Sequence, residues 1–408
     1  MTTGSLNTAD RPLVLIWELT QACDLACEHC RAEADPTRHP DELSTAEGKA
    51  LLDDAAAFGE GQLVVLSGGD PLVRDDVTDL VAYGTDRGLR MTITPSGTSS
   101  LTADAIGDLA DAGLRRMAVS LDGASPETHD AFRGESGSFA ETIRAAEDAR
   151  EAGVPLQINT TVCAQTVSDL PAIRDVVREL DAVMWSVFFL VPVGRGRVLD
   201  PISPERAEAV MEWLHVVSRE ESFGLKTTEA PMYRRVVAQH GRNGNRDRGA
   251  AGGRTTTGGE RDSDDRDRDA PGRDDRDRDD RNRDSGGPPA GVTRRTGIVA
   301  GDGFCFVSHT GEVYPSGFLP ESAGNVRETP VTELYRESDL FRSLRDRDRY
   351  RGKCGACEFR ALCGGSRSRA YATTGDPLAS DPLCSYVPEG YDGPLPWDES
   401  GTVSSASD

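Results

Sequence analysis

The chain has 408 residues, nine cysteines and a formal charge of −23, from 69 Asp and Glu against 46 Lys and Arg. No apolar run approaches the ~18 residues a membrane span needs, and Met1–Pro12 has neither a basic nor an apolar signal region, so the expected location is cytoplasmic. Acidity of this size excludes non-specific nucleic-acid binding and docking on anionic lipid, both of which run on cationic surface.

Residues 1–10 read as a disordered tail. From there the pattern alternates strand and helix. Strand-like runs are Leu13–Trp17, Gln62–Leu66, Arg90–Thr94, Arg116–Leu121, Leu156–Val162 and Trp185–Val191. Helical patterns lie between them at Thr45–Phe58, Asp76–Arg87, Thr102–Ala112, Phe139–Ala152 and Ser168–Leu180, with Ser203–Arg219 after the sixth strand. Ser44, Asp75 and Ser203 are the expected caps, and Gly59, Gly88, Gly113 and Gly153 the expected stops. Strands separated by single helices imply right-handed crossovers and a parallel sheet. Residues 11–221 therefore predict an α/β fold, a partial (β/α)6 TIM-type barrel, with a doubly wound open sheet as the alternative. Residues 222–240 read as a connector. Residues 241–295 contain RDSDDRDRDAPGRDDRDRDD and bury too little to offset ordering entropy, so a disordered charged linker is expected. Residues 296–388 form a small cysteine-rich α+β module, and 389–408 a flexible tail.

In a reducing compartment, clustered cysteines read as metal or cluster ligands before disulfides. Cys23, Cys27 and Cys30 have the spacing C-x3-C-x2-C just after the first strand, on the chemically active end of a β/α barrel. One reading is a single helix face, but Asp24, Glu28 and His29 are polar neighbours. A zinc site would take a fourth ligand from His29 or His39. A three-thiolate [4Fe–4S] cluster instead leaves one iron open for a ligand.

At this triplet the sequence resembles the radical SAM superfamily, and the resemblance spans nearly all of residues 11–388. It implies that the triplet binds a [4Fe–4S] cluster whose open iron chelates S-adenosylmethionine. Reductive cleavage of the sulfonium then gives a 5′-deoxyadenosyl radical, which removes a hydrogen atom from the substrate. His29 stands where an aromatic residue is frequent, beside the implied adenine site. Ser67-Gly68-Gly69-Asp70-Pro71 looks like the Gly-Gly-Glu-Pro motif, with Asp in place of Glu. It implies close backbone approach to the methionyl amino group. Ser120, in Ser-Leu-Asp-Gly, is implied to contact the methionyl carboxylate or ribose. Arg133 matches an arginine that pairs with the carboxylate. Asn159 matches a ribose ligand, and Val191 would offer backbone to adenine.

Cys354, Cys357 and Cys363 give C-x2-C-x5-C, closed by Cys384. Four thiolates suit a structural zinc or a fully coordinated cluster. The run is similar to the SPASM module of radical SAM enzymes, which carries auxiliary [4Fe–4S] clusters. Ser316 and Arg367 stand where that module has cysteines, so the resemblance implies one auxiliary cluster, with Cys305 a free or adventitious ligand. Cys163 is expected in the core. Arg367 and Arg369 either face an anionic substrate or are surface charges. The wording of residues 309–372 is similar to SPASM-type enzymes of heme and heme d1 biosynthesis. The implied reaction is hydrogen abstraction from a tetrapyrrole side chain. The alternatives are a peptide-modifying maturase and a non-catalytic zinc or Fe–S protein that binds a partner peptide. Implied partners are a small-molecule or peptide substrate and an electron donor such as ferredoxin or flavodoxin.

Overall fold

Seven parallel strands run in chain order through one sheet: β1 (Val14–Thr20), β2 (Leu63–Gly68), β3 (Arg90–Ile93), β4 (Arg116–Ser120), β5 (Leu156–Val162), β6 (Met184–Phe189) and β7 (Gly224–Thr228). Three short strands from the C-terminal part, β8 (Val299–Ala300), β9 (Gly303–Val307) and β10 (Val313–Tyr314), complete it on the other side of β1. β9 pairs parallel with β1, and β10 antiparallel with β9. The computed structural model describes residues 7–32, 34–241 and 298–396. The linker expected at 241–295 lies outside the described residues except for Gly241, and the two expected tails lie partly outside them.

This is the partial-barrel α/β architecture, with helices between consecutive strands as crossovers require. Two features differ from the sequence reading. Gly224–Thr228, inside the stretch read as a connector, is a full strand paired to β6. The cysteine-rich part shares the main sheet through the β9–β1 pairing. Local pattern shows neither, because both strands are short and are fixed by a distant partner.

The helix signals act as expected at Ser44, which forms a capping box with Glu47. Ser203 accepts from the Arg206 amide. The cap expected at Asp75 falls instead at Asp76, whose carboxylate binds Arg74 and Thr45 and makes no cap bond. A short helix at Pro126–Arg133 precedes the helix Ser138–Glu151. Pro126 occupies its first turn, where the missing amide costs nothing.

The two faces of the sheet differ. A Cβ on Gly48 would sit 2.3 Å from the Trp17 ring, and one on Gly84 would sit 2.4 Å from the Met91 sulfur. Trp17 and Met91 therefore face the helices Thr45–Ala56 and Val77–Asp86. Both are fully buried, each worth about 2–3 kcal/mol of transfer free energy. The register places Glu18, Ser67, Thr92, Arg116, Ser120, Asn159 and Ser186 together on the opposite face. That concave face is polar, and Ser67, Arg90, Thr92, Ser120, Gln157, Asn159 and Thr161 are only half-buried on it. Among the described residues no helix is long and apolar enough to cross a membrane.

Candidate functional site

The chain leaves β1 at Thr20 and enters the loop that carries Cys23, Cys27 and Cys30. Backbone bonds hold this loop at both ends. The Cys23 amide donates to Asp35 O at 3.0 Å, and the Arg195 amide donates to Cys30 O at 2.9 Å. Gly68 and Gly69 bring the end of β2 against it. The Gly69 amide donates to Thr20 O at 2.8 Å and the Asp70 amide to Ala22 O at 2.7 Å. Gly68 has φ +139°, and a Cβ on Gly69 would lie 2.2 Å from Ala22 O and 2.6 Å from Gln21 O. These glycines are thus required by backbone packing under the cysteine loop. Gly69→Ala is expected to cost about 2–3 kcal/mol by overpacking and to halve the iron bound, checked by denaturant titration and iron analysis.

Asp70 is buried and its carboxylate is used internally. It accepts from the Leu72 amide at 3.1 Å, Thr98 Oγ at 2.8 Å and Ser100 Oγ at 3.1 Å. Ser96 Oγ donates to Gly69 O at 2.5 Å and lies 3.3 Å from the Cys23 sulfur.

Around the loop several buried polar atoms lack partners. Arg133 approaches Asp122 Oδ2 at 3.5 Å and donates to Ser96 O at 3.3 Å, but its Nε has no partner. Burial opposes its charge, yet the Cys27 thiol, Asp122, Cys23 and Cys30 outweigh burial and raise its pKa. His29 stacks on Phe132 with centroids 4.6 Å apart, and its Nδ1 is unpartnered. Burial lowers the His29 pKa to about 4, so the ring is neutral near pH 7. Arg195 Nε and Nη2 and Asp122 Oδ2 are also without hydrogen bonds. Buried polar atoms are normally paired. This concentration beside three thiols fits a polar group that carries both carboxylate and amine functions.

The other expected contacts stand on neighbouring strands. Ser120 closes β4 and pairs in register with Asn159 on β5. Asn159 accepts from Gln157 Nε2 at 2.7 Å. Ser67 lies beside Glu18. Val191 follows β6 and accepts from the Val193 amide at 2.8 Å. His129 supports the turn after β4, its Nδ1 accepting from the Asp122 amide at 3.1 Å.

Cys354, Cys357, Cys363 and Cys384 line one pocket with Met232, Arg235, Lys353 and Phe359. Four thiols around one pocket suit a structural zinc or a fully coordinated cluster. Cys305 is buried in β9, inside the main core, and Cys163 is buried with Phe132, Leu190 and Leu199.

Arg367 and Arg369 correct the reading of them as substrate-facing or surface charges. Both are buried. The Arg367 guanidinium donates to Pro377 O at 3.0 Å and Ala379 O at 2.7 Å, and lies 3.7 Å from the Cys354 sulfur. Arg369 donates to Leu190 O and Phe189 O, both at 3.1 Å, and to Glu229 O at 2.8 Å. It ties the second cysteine group to the C-terminal end of β6. Ser316 and Ser368 donate to Glu229 Oε1 at 3.2 and 3.0 Å, and Ser366 donates to its other oxygen.

Sequence reasoning missed a triad on the concave face. The Glu18 carboxylate receives Arg31 at 2.7 Å and lies 2.9 Å from His309 Nδ1. Burial alone would raise its pKa, but Arg31 and His309 bring it down to about 2. A buried glutamate inside the strand-like run LIWELT was the available signal.

Residues 17–177 match the family model described as the radical SAM superfamily. Over 377 residues the chain is 39% identical to the AdoMet-dependent heme synthase of Methanosarcina barkeri, covering 92% of this chain and 97% of that protein. It is 28% identical over 384 residues to the pre-heme d1 synthase of Dinoroseobacter shibae, covering 91% of this chain and 85% of that protein. Among solved structures, Streptococcus suis SuiB bound to S-adenosylmethionine has a TM-score of 0.64 at 16% identity, covering 92% of this chain and 78% of that chain. That last likeness is one of fold.

Proposed function

The chain belongs to the radical SAM superfamily, and on that premise we propose that its substrate is a tetrapyrrole bearing carboxylate side chains. The observation that carries this reading is the identity of 39% to an AdoMet-dependent heme synthase along nearly the whole of both chains. Cys23, Cys27 and Cys30 would hold a [4Fe–4S] cluster, which with S-adenosylmethionine bound would supply one-electron cleavage and hydrogen abstraction. The remaining roles fall to the chain. Arg133 balances the thiolates and presents its free Nε to a carboxylate. Neutral His29 offers an unpartnered Nδ1 beside the same site. Ser120 at the end of β4 and Asn159 opposite it on β5 present hydroxyl and amide where a ribose would lie. The half-buried concave face offers donors and acceptors to a large polar substrate, so that one side-chain carbon is held next to the cofactor. Cys354, Cys357, Cys363 and Cys384 hold one auxiliary cluster. A ferredoxin or flavodoxin is the proposed electron donor.

The test is an anaerobic incubation of reconstituted protein with S-adenosylmethionine, a reductant and an iron porphyrin bearing four propionates. The expected result is 5′-deoxyadenosine formation together with a porphyrin mass lowered by loss of carbon dioxide or a carboxylate-bearing fragment. An unchanged porphyrin, with a peptide instead changed in mass, would replace this reading by peptide maturation.

A further inference from the structure

Resting on the tetrapyrrole reading, we propose that Arg90 and Arg116 bind a second substrate carboxylate, at the end of the concave face remote from the cysteine triplet. Arg90 opens β3 and Arg116 opens β4. Arg116 shares a face with Ala118 and Ser120, because strand side chains alternate with period two. Thr92, two residues beyond Arg90, pairs in register with Arg116. Both arginines thus face the same concave side as Ser120. Leu63, Arg90, Thr92, Arg115 and Arg116 line a single pocket there.

These cations lack the partners that other arginines of the chain have. Arg31, Arg74, Arg144, Arg174 and Arg347 each hold a carboxylate within 2.7 Å. Among the described residues no carboxylate forms an ion pair with Arg90, Arg115 or Arg116. Arg116 is buried. Its Nη1 has only Gln157 Oε1 at 3.4 Å and the Met184 sulfur at 3.5 Å, and its Nε has no partner. Burial, with Arg90 as a like-charged neighbour, lowers its pKa. In a chain of charge −23 acidic groups are plentiful. A pair of arginines held together without one is a costly arrangement that an anionic ligand would relieve.

The ligand is a carboxylate, whose planar oxygens match a guanidinium fork. Four residues separate Arg116 from Ser120, about 13 Å at strand rise. A macrocycle with carboxylates on opposite edges spans such a distance. One edge then lies at the cofactor end and the other between Arg90 and Arg116. A polar path joins the two ends: Arg116 to Gln157, and Gln157 Nε2 to Asn159 Oδ1 at 2.7 Å.

The experiment is an absorbance titration of the reconstituted protein with an iron porphyrin bearing four propionates. A parallel titration uses an iron porphyrin with two propionates on one edge. The double variant Arg90→Gln/Arg116→Gln is expected to weaken binding of the first about 10- to 100-fold and of the second less than threefold. Arg116→Lys, which keeps the charge and loses the fork, is expected to lose about 3- to 10-fold. Melting temperature and iron content, read on each variant, report folding. Equal affinity of a folded double variant and the parent for the first porphyrin overturns the anchor and leaves the tetrapyrrole reading standing. Equal losses for both porphyrins together with a lowered melting temperature or iron content also overturn it, since the effect is then structural. Failure of the parent protein to bind either porphyrin overturns both.

Discussion

Cys23→Ala, Cys27→Ala and Cys30→Ala are each expected to reduce 5′-deoxyadenosine formation below detection, with the fold intact. A cluster with one open iron has no spare protein ligand, so loss of any thiolate removes the site itself. The fold is insensitive for a different reason. The loop is fixed by backbone bonds at Cys23, Asp35 and Cys30 and by the Gly68–Gly69 approach, none of which uses a thiol. The apolar core lies on the opposite face of the sheet, under the helices. A circular-dichroism melt within a few degrees of the parent, with about four irons fewer per chain, is the expected accompaniment. A variant that still cleaves S-adenosylmethionine at the parental rate would remove the assignment of that cysteine. Gly69→Ala makes the contrast, since it acts on the same site through the backbone and shows as lost stability.

The parts of this site legible in the sequence are those whose chemistry is local. Three thiols in eight residues, a Gly-Gly after a strand and four late cysteines stand out by spacing as candidate ligand sets, and the resemblance to the radical SAM superfamily is what reads them as cluster and cofactor sites. The six strands read from periodicity lie in the sheet because each has its own apolar run. What was not legible depends on distant partners. Gly224–Thr228 becomes a strand only beside β6, and Gly303–Val307 only beside β1. The glycines at 68 and 69 carry a second requirement that no spacing encodes: backbone of Thr20, Gln21 and Ala22 presses on them. Arg367 and Arg369 misled because spacing does not encode burial. Their guanidiniums are saturated by backbone carbonyls brought in from Phe189, Glu229 and Ala379. Among the described residues, Arg116, Arg133 and Arg195 keep buried guanidinium nitrogens without hydrogen bonds on the barrel side, and no motif in the C-terminal module indicates them.

Reconstitution is expected to give about eight irons per chain, and Cys363→Ala about four. Cys363 is the informative position because it is buried within the main core, and burial pushes its thiol pKa up strongly. A metal ion replaces the proton of such a thiol and the proton leaves to solvent, so iron uptake and deprotonation are coupled. The cations Arg235, Lys353 and Arg367 stand against this group, Arg367 within 3.7 Å of the Cys354 sulfur. Thiolates formed on binding supply the negative charge these cations face, so loading should raise the melting temperature and Cys363→Ala should forfeit that gain. Zinc in the pocket would give about four irons and one zinc instead. About twelve irons would demand a third site. Ser316 gives its hydroxyl to Glu229, and Arg367 fills the other position with a guanidinium bound to backbone carbonyls. A third cluster would have to break both arrangements, so the count is expected to stop at about eight.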